Sequence, residues 1–440
     1  MRTEIIEDRN FKILSFIIAL MPVSYAIGSL ILSINSIIVI IFGLFIFKTE
    51  IFIVKKKFLG YLIYFFFFYV IIITIYNNIN FLDENELYKK NIIKSFLYLR
   101  YLLLFLVINK LAEKSFLQIK YLYYTSIFMV SFLLFDILLQ FYSGKDIFGI
   151  VSDDPNRLAG FFGNEYIAGG YLQIFSFFLI FSSILFSKNK KIFLSIFLLS
   201  TILLVISIPM TGNRMPFFLF LFCLLLFGFL ERKLRKVSLT ICLVFFTLFT
   251  ILINIEPKQI KHYNKLLKIH TLTNDFYKNS KDIFLNSKTL FEGNMENEVK
   301  SAHLKTFYAG IDLWKENRVF GSGLKSFRIN CKFGFNKLCN THPHNYYIEL
   351  LLDLGLIGFL SISSIFIISL WGFLKKNYLT FSKTFYERLI VMPSFLIIFA
   401  YAFPIKSSGS FFTTTVSTFI FLFLAILVNS ETIKLNKNRN

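Results

Sequence analysis

The sequence predicts an all-α, polytopic membrane protein with about twelve transmembrane helices and one large extramembrane loop between helices nine and ten. Hydrophobic residues make up 56% of the 440 residues, and aromatic residues make up 19%. Apolar segments of about 20 residues, the length that crosses a hydrocarbon core ~30 Å thick, recur from one end of the chain to the other. A single long polar interval, between about residues 255 and 345, interrupts them.

Nine apolar segments precede the polar interval and three follow it. The predicted spans are approximately 11–34, 36–54, 58–76, 92–110, 119–142, 165–186, 191–209, 215–231, 236–254, 346–373, 386–404 and 409–429. They divide the chain into residues 1–254 with helices one to nine, a loop domain at 255–345, and residues 346–440 with helices ten to twelve. The first span has no small-residue cleavage site, so we expect a retained helix and not a signal peptide.

Basic residues mark alternate short connections between the predicted spans. The clusters lie at 55–57, 110–120, 188–191, 232–236 and 375–388. Because cytoplasmic loops carry the excess of Lys and Arg, both termini are predicted in the cytoplasm and the long loop on the outer side. The net charge of +21 is divided among such clusters and not gathered on one soluble face, which argues against nucleic-acid binding.

The second half of the long loop has helical periodicity. Its apolar residues repeat at intervals of three and four: Leu304, Phe307, Tyr308, Ile311 and Trp314. This spacing predicts an amphipathic helix that lies on the bundle or on the membrane surface.

The four cysteines fall into two pairs. Cys223 and Cys242 lie within predicted spans, where they are expected to be buried small apolar residues. Cys331 and Cys339 lie in the outer loop, where an oxidising compartment predicts a disulfide between them. The alternative is a metal site built from His303, Cys331, Cys339, His342 and His344. The spacing of those residues is not that of the usual zinc modules, so no metal is expected.

The stretch HPHN, residues 342 to 345, precedes the tenth predicted span. Pro343 and Asn345 suit the start of a helix, where proline costs nothing and a short polar side chain caps free amides. Glu349 and Asp353 follow Asn345 at i+4 and i+8, along one helix face. Acidic groups inside a membrane are costly unless they face protein, water or a partner.

Two further features lie within predicted spans. Gly355 and Gly358, three residues apart, would let another helix approach the tenth span closely. Arg100 and Asp136 fall in the outer halves of their spans, and we expect them to form an ion pair, since isolated charges seldom persist inside a membrane.

At these residues the chain resembles the O-antigen ligase family. His344, Asn345, nine residues, Gly355, two residues and Gly358 match the signature of that family. Upstream, Trp314 with NRVFGSGLKSFR is similar to the family stretch that ends in Gly-x-Gly, without its usual proline. GFFGNEYIAGGYL and TGNRMPFF, which contains Arg214, resemble two further landmarks. Asp353 stands where many members have glutamate. The resemblance covers about residues 150 to 360.

The resemblance implies a membrane glycosyltransferase. Members transfer a glycan from an undecaprenyl-diphosphate carrier to an acceptor on the periplasmic face of the bacterial inner membrane, by an inverting mechanism that uses no metal or other cofactor. In O-antigen ligases the acceptor is lipid A-core. In the polymerases that share the signature, the acceptor is another carrier-linked glycan.

This chemistry suggests roles for particular side chains. Departure of the diphosphate requires fixed cations, and arginine binds two phosphate oxygens at once. Arg214 is the first candidate, with interfacial snorkelling as the alternative explanation. Further candidates for substrate binding lie on outer segments: Arg157, Arg318 and Arg328.

The acceptor hydroxyl loses a proton as the new bond forms, and histidine is readily tuned to accept it. His344 is therefore expected to act as the base or to orient the acceptor, with His342 as the substitute. Asn345 would hold the neighbouring backbone, and Asp353 would support the helix or pair with a cation.

A twelve-span permease or a flippase of lipid-linked glycans would have a similar composition. Such transporters often contain two related halves with interrupted helices in matching positions. No internal repeat is visible here, and the long loop lies off-centre beside the signature. The sequence therefore favours an enzyme.

Overall fold

The computed structural model describes residues 2–83, 86–154, 157–186, 189–255, 302–334, 341–380, 383–404, 406 and 408–435. These residues form α-helices joined by short turns, and they contain no strand. The helices are α1 Arg2–Ala19, α2 Met21–Ile27, α3 Ser29–Phe47, α4 Lys57–Asn78, α5 Glu86–Glu113, α6 Ile119–Ser143, α7 Ala168–Ile180, α8 Lys190–Met210, α9 Arg214–Leu230, α10 Arg235–Ile255, α11 Ala302–Glu316, α12 Ser326–Gly334, α13 Tyr346–Leu374, α14 Phe385–Ala402 and α15 Thr414–Val428.

The all-helical membrane class is confirmed. Within the described residues, eight helical stretches are long and apolar enough to cross a membrane, and three apolar helices, α7, α9 and α15, are shorter. The count of twelve spans stays a prediction. The predicted boundary between the first two spans is wrong, because the break falls at Gly28 and not near residue 35. Gly28 adopts φ 145°, a conformation open to glycine and costly for other residues.

Helix packing depends on interlocking aromatic side chains. α5 packs against α3, α4 and α15, and α13 packs against α4, α14 and α15. At one such contact the ring of Phe67 lies 5.3 Å from that of Tyr98 and 4.9 Å from that of Phe421. Because lipid chains are as apolar as these side chains, close van der Waals packing holds the helices together.

α13 is interrupted at Gly355, which has φ 63° and ψ −166°. The backbone groups around the break bond to the segment 318–323, which joins α11 to α12. The amides of Ser322 and Gly323 donate to the carbonyls of Leu352 and Asp353 at 2.9 and 2.8 Å, and those of Leu356 and Ile357 donate to Arg318 and Val319 at 2.9 and 3.2 Å. Irregular backbone at membrane depth is tolerated where protein satisfies it in this way.

The sequence predicts that a second helix approaches Gly355 and Gly358. In the structure, Gly355 contacts the segment 318–323 instead, and Gly358 contacts a side chain of its own helix. A Cβ at Gly355 would overlap the backbone of Val319, and one at Gly358 would overlap the Leu354 side chain of its own helix. The segment 318–323, and not a helix, approaches Gly355 closely. It does so because the break in α13 exposes backbone groups that need hydrogen bonds.

The predicted amphipathic helix of the long loop is present as α11, which packs against α13. Its side chains Tyr308 and Leu313 are 0% and 9% exposed. Residues 256–301 lie outside the described residues, and the orientation of the bundle across the membrane stays a prediction.

Candidate functional site

A cavity of about 1290 Å³ opens at the end of the bundle where α13 begins. Its walls come from the α2–α3 break, the first half of α5, the start of α7, the start of α9 and the connection between α14 and α15. Both His342 and His344 line it, together with Tyr346 at the start of α13. The first residue of the sequence signature, His344, therefore lies in the wall of a large cavity.

The two histidines lie together in this wall. Their ring centroids are 4.4 Å apart, and Nδ1 of His342 lies 3.0 Å from Oγ1 of Thr341. His344 has φ 56°, a left-handed conformation that is uncommon for a residue with a Cβ. Its carbonyl accepts a hydrogen bond of 2.7 Å from the amide of Ser408. This strained backbone is held in place by the connection between α14 and α15.

Asn345 makes the second link to that connection. Its side-chain oxygen caps α13, accepting from the amides of Tyr347 and Ile348 at 2.9 and 3.1 Å. Its side-chain nitrogen donates to the carbonyls of Pro404 and Lys406 at 3.1 and 3.0 Å. The amide uses all four of its hydrogen-bonding positions, so this site demands an amide and not merely a helix cap.

Lys406, which Asn345 holds, is buried in the cavity wall. Its Nζ donates to the carbonyl of Ala400 at 2.8 Å and lies 4.5 Å from the ring centroid of Tyr346. Burial lowers the pKa of Lys406 from 10.5 to about 7. Since burial disfavours the charged amine, an anion in the cavity would stabilise it.

Glu349 faces the same connection from α13. Its carboxylate accepts hydrogen bonds from Oγ of Ser410 at 2.6 Å and from the amide of Phe411 at 2.7 Å. Nζ of Lys325, which also contacts Ser410, lies 3.4 Å from the same carboxylate. The buried charge is thereby compensated, and Lys325 is fixed where it lines the cavity.

Asp353 does not line the cavity. Its carboxylate accepts from the amides of Lys325 and Ser326 at 2.8 and 3.0 Å, and from Oγ of Ser326 at 2.7 Å. It therefore caps the N-terminus of α12, where a negative charge also suits the helix dipole. These three hydrogen bonds offset the free-energy cost of burying the carboxylate completely.

The four arginines predicted to bind substrate do not line the cavity. Arg214 is the first residue of α9, and its neighbours Asn213 and Met215 line the cavity although Arg214 itself does not. Arg157 lies with its guanidinium 3.9 Å from the ring centroid of Tyr166, another lining residue. Arg318 and Arg328 are exposed.

The predicted ion pair between Arg100 and Asp136 is wrong. The guanidinium of Arg100 donates to the hydroxyls of Tyr101 at 2.6 Å and Thr414 at 3.2 Å, and it lines the cavity. Asp136 accepts from the amide of Ile147 at 2.7 Å. The two side chains bond to different neighbours, and Nε of Arg100 and Oδ2 of Asp136 have no hydrogen-bond partner among the described residues.

Sequence reasoning missed most of the basic side chains in the cavity. Four Lys or Arg residues line it: Lys94, Arg100, Lys325 and Lys406. Among the lining residues Glu165 is the one carboxylate. For Lys94, Arg100 and Lys406, the signal available in the sequence was a basic residue within or next to an apolar segment, at its outer end. Lys325 lies inside the predicted loop, where the sequence offered no such signal. The cavity is suited to an anion.

Cys331 is buried in α12 and is disulfide-bonded, whereas Cys223 and Cys242 are free and buried. Cys339, its predicted partner, lies outside the described residues, so this pairing stays a prediction. No group of three His, Cys, Asp or Glu able to hold a metal occurs within the described part of the chain. The absence of a metal from the reaction also stays a prediction.

Residues 199–363 match a family model described as O-antigen ligase. The matched segment extends from α8 to the middle of α13, and it includes Arg214, the segment 318–323 and the signature from His344 to Gly358. The match confirms the family resemblance predicted from the sequence. No curated protein matches the chain.

Proposed function

We propose that this chain, which carries a domain of the O-antigen ligase family in a bundle of membrane helices, transfers a glycan from an undecaprenyl-diphosphate carrier to an acceptor at the periplasmic face of the bacterial inner membrane. The observation that carries the proposal is the cavity itself. Its wall contains both the signature histidine and four basic side chains. The carrier would present its diphosphate to the basic residues and its sugar to the histidine.

On the donor side, the bond between the anomeric carbon and the diphosphate oxygen breaks, and the electron pair leaves with the diphosphate. Arg100, Lys325 and Lys406 are fixed by hydrogen bonds before any substrate arrives. Fixed cations lower the free energy of a transition state in which negative charge develops, because they need no reorganisation during the step. Arg214, the first residue of α9, would contact the same diphosphate from the α9 side.

On the acceptor side, a hydroxyl oxygen attacks the anomeric carbon from the face opposite the leaving diphosphate, which inverts the configuration. His344 would accept the hydroxyl proton as the new bond forms. Its left-handed backbone and its bond to Ser408 fix where the ring lies in the cavity wall. His342, with its ring 4.4 Å away, would orient the acceptor or replace His344 in part.

Among acceptors we propose lipid A-core, with another carrier-linked glycan, as in O-antigen or exopolysaccharide polymerases, as the alternative. A chromosomal deletion analysed by lipopolysaccharide gel separates them. Loss of every ladder band indicates a ligase, whereas a surviving band with one repeat unit indicates a polymerase. An intact ladder would contradict both.

Transport of the lipid-linked glycan is the contrasting function. Purified full-length protein in vesicles, supplied with carrier-linked glycan and lipid A-core, should form a conjugate of the two that mass spectrometry detects. Movement of the carrier-linked glycan between leaflets without any conjugate would identify a flippase and overturn the proposal.

A further inference from the structure

A second crevice, of about 340 Å³, lies at the opposite end of the bundle. It is formed by the start of α4, the end of α13 with the turn after it, and the end of α15. The large cavity is lined by Tyr346 and Thr414, at the other ends of α13 and α15. The two sites are therefore separated by the length of these helices, and the crevice takes no part in the proposed transfer.

The inner walls of the crevice are mostly apolar and open. They include Phe58, Ile368 and Leu427, and Phe58 is 71% exposed towards the outside of the bundle. Gly372 also lines it, and a Cβ built there would meet nothing within 4 Å. The absence of a side chain at this helical position leaves an open slot in the crevice wall.

The mouth of the crevice carries three lysines and no lining carboxylate: Lys56, Lys57 and Lys376. Lys56 donates through Nζ to the carbonyl of Val428, and Lys376 lies 2.5 Å from the carboxylate of Glu431. Burial, followed by the nearby charge of Lys376, lowers the pKa of Lys56 to about 8. Positive charge is therefore in excess at the mouth, and a bound anion would relieve it.

The crevice also contains a buried polar side chain, Ser369. Ser369 lines it and is 4% exposed, yet its Oγ has no hydrogen-bond partner among the described residues. A buried hydroxyl without a partner costs free energy, and most such groups in proteins are satisfied. Ser369 lies seven residues before Lys376, about 10 Å along the helix, so this hydroxyl is deeper in the crevice than the lysines.

We propose that this crevice binds an anionic phospholipid of the adjacent leaflet, with its phosphate between Lys56 and Lys376 and one acyl chain along Phe58 and Gly372. Basic pockets between transmembrane helices are suited to anionic headgroups, and the apolar slot beneath these lysines is suited to a lipid and not to a soluble phosphate. The site is independent of the glycan-transfer proposal.

The test measures lipid binding to the purified full chain by native mass spectrometry in detergent, with phosphatidylglycerol and phosphatidylethanolamine as probes. Wild type should retain phosphatidylglycerol in preference to the zwitterionic lipid. Lys56→Gln with Lys376→Gln should weaken that binding by roughly fivefold per lysine, and Gly372→Leu should weaken it by filling the slot. Lys48→Gln, an exposed lysine at the same end of the bundle, is the matched control and should bind as wild type does.

Equal retention of the two lipids by wild type would overturn the proposal, as would unchanged phosphatidylglycerol binding in both crevice variants. Displacement of the lipid by millimolar inorganic phosphate would identify a soluble ligand instead and would also overturn it. If the double lysine variant does not fold, Gly372→Leu alone decides, because leucine favours the helix over glycine and the first atom added has open space.

Discussion

Gly321 and Gly355 meet backbone to backbone where the segment 318–323 crosses the break in α13: a Cβ on Gly321 would overlap the amide of Gly355. Both have positive φ, 82° and 63°. The Gly-x-Gly stretch and the first signature glycine are thus two sides of one contact. Through Asp353 and Lys325, this contact determines where α12 begins beside the cavity.

Alanine at either glycine should destabilise the fold. Gly321→Ala and Gly355→Ala each introduce a Cβ into the opposing backbone and a strained left-handed residue, so we expect a loss of about 2 kcal/mol or more in the free energy of unfolding. Thermal unfolding in detergent measures this. Gly372→Ala, where the space is open, is the control and should unfold at or above the wild-type temperature. Equal unfolding temperatures for Gly355→Ala and Gly372→Ala would contradict the contact.

Asn345 should be needed for its amide and not only for its cap. Asn345→Asp retains an oxygen for the amides of Tyr347 and Ile348 but loses the donors to Pro404 and Lys406. We expect α13 to remain folded and glycan transfer to fall by about tenfold or more, since a small misplacement of a catalytic group is costly. Circular dichroism and the transfer assay measure the two effects. Wild-type transfer by Asn345→Asp would show that the link to Lys406 is dispensable.

Arg100 and Asp136 should behave as independent residues. In Arg100→Gln the cavity loses a cation, so donor binding should weaken, whereas Asp136→Asn keeps an oxygen for the amide of Ile147 and should leave donor binding unchanged. In a double-mutant cycle their effects on unfolding should add within about 0.5 kcal/mol. A coupling energy well above that value would show that the two side chains interact and would support the ion pair.

Donor binding should depend on pH through Lys406. Because its pKa is lowered to about 7, the amine is charged below that pH and becomes neutral as the pH rises through it. Affinity for a carrier-linked diphosphate should therefore fall between about pH 6 and pH 8 in wild type. Lys406→Arg stays charged over this range and should show a flatter profile. Because both His342 and His344 line the cavity, the double variant His342→Gln with His344→Gln is the control and should keep the slope. Identical slopes in wild type and Lys406→Arg would assign the effect to another group.

The sequence predicted what is local or periodic. The helical class follows from runs of apolar residues, α11 follows from its three-four spacing, and the cap at Asn345 follows from the residue types at the start of α13. The signature itself identified the histidine in the cavity wall.

The remaining contacts join residues that are distant in the chain, and no local pattern encodes them. Asn345 reaches Lys406 across 61 residues, and Arg100 reaches Thr414 across 314. Charge and predicted depth alone suggest an ion pair of Arg100 with Asp136, but in the folded protein a tyrosine hydroxyl and a backbone amide are their partners instead. The sequence predicts a second helix as the partner of Gly355, because the glycine is the only sign in the sequence of a break inside this apolar span.

The most direct measurement compares transfer with donor binding in His344→Ala. We place the diphosphate on Arg100, Lys325 and Lys406 and the acceptor proton on His344. Transfer from a defined carrier-linked glycan should therefore fall by about a hundredfold or more, while affinity for that donor stays within a few-fold of wild type. Arg100→Gln, in the same assays, should weaken donor binding. Near wild-type transfer by folded His344→Ala would contradict the account, because the histidine would then serve only to shape the cavity wall.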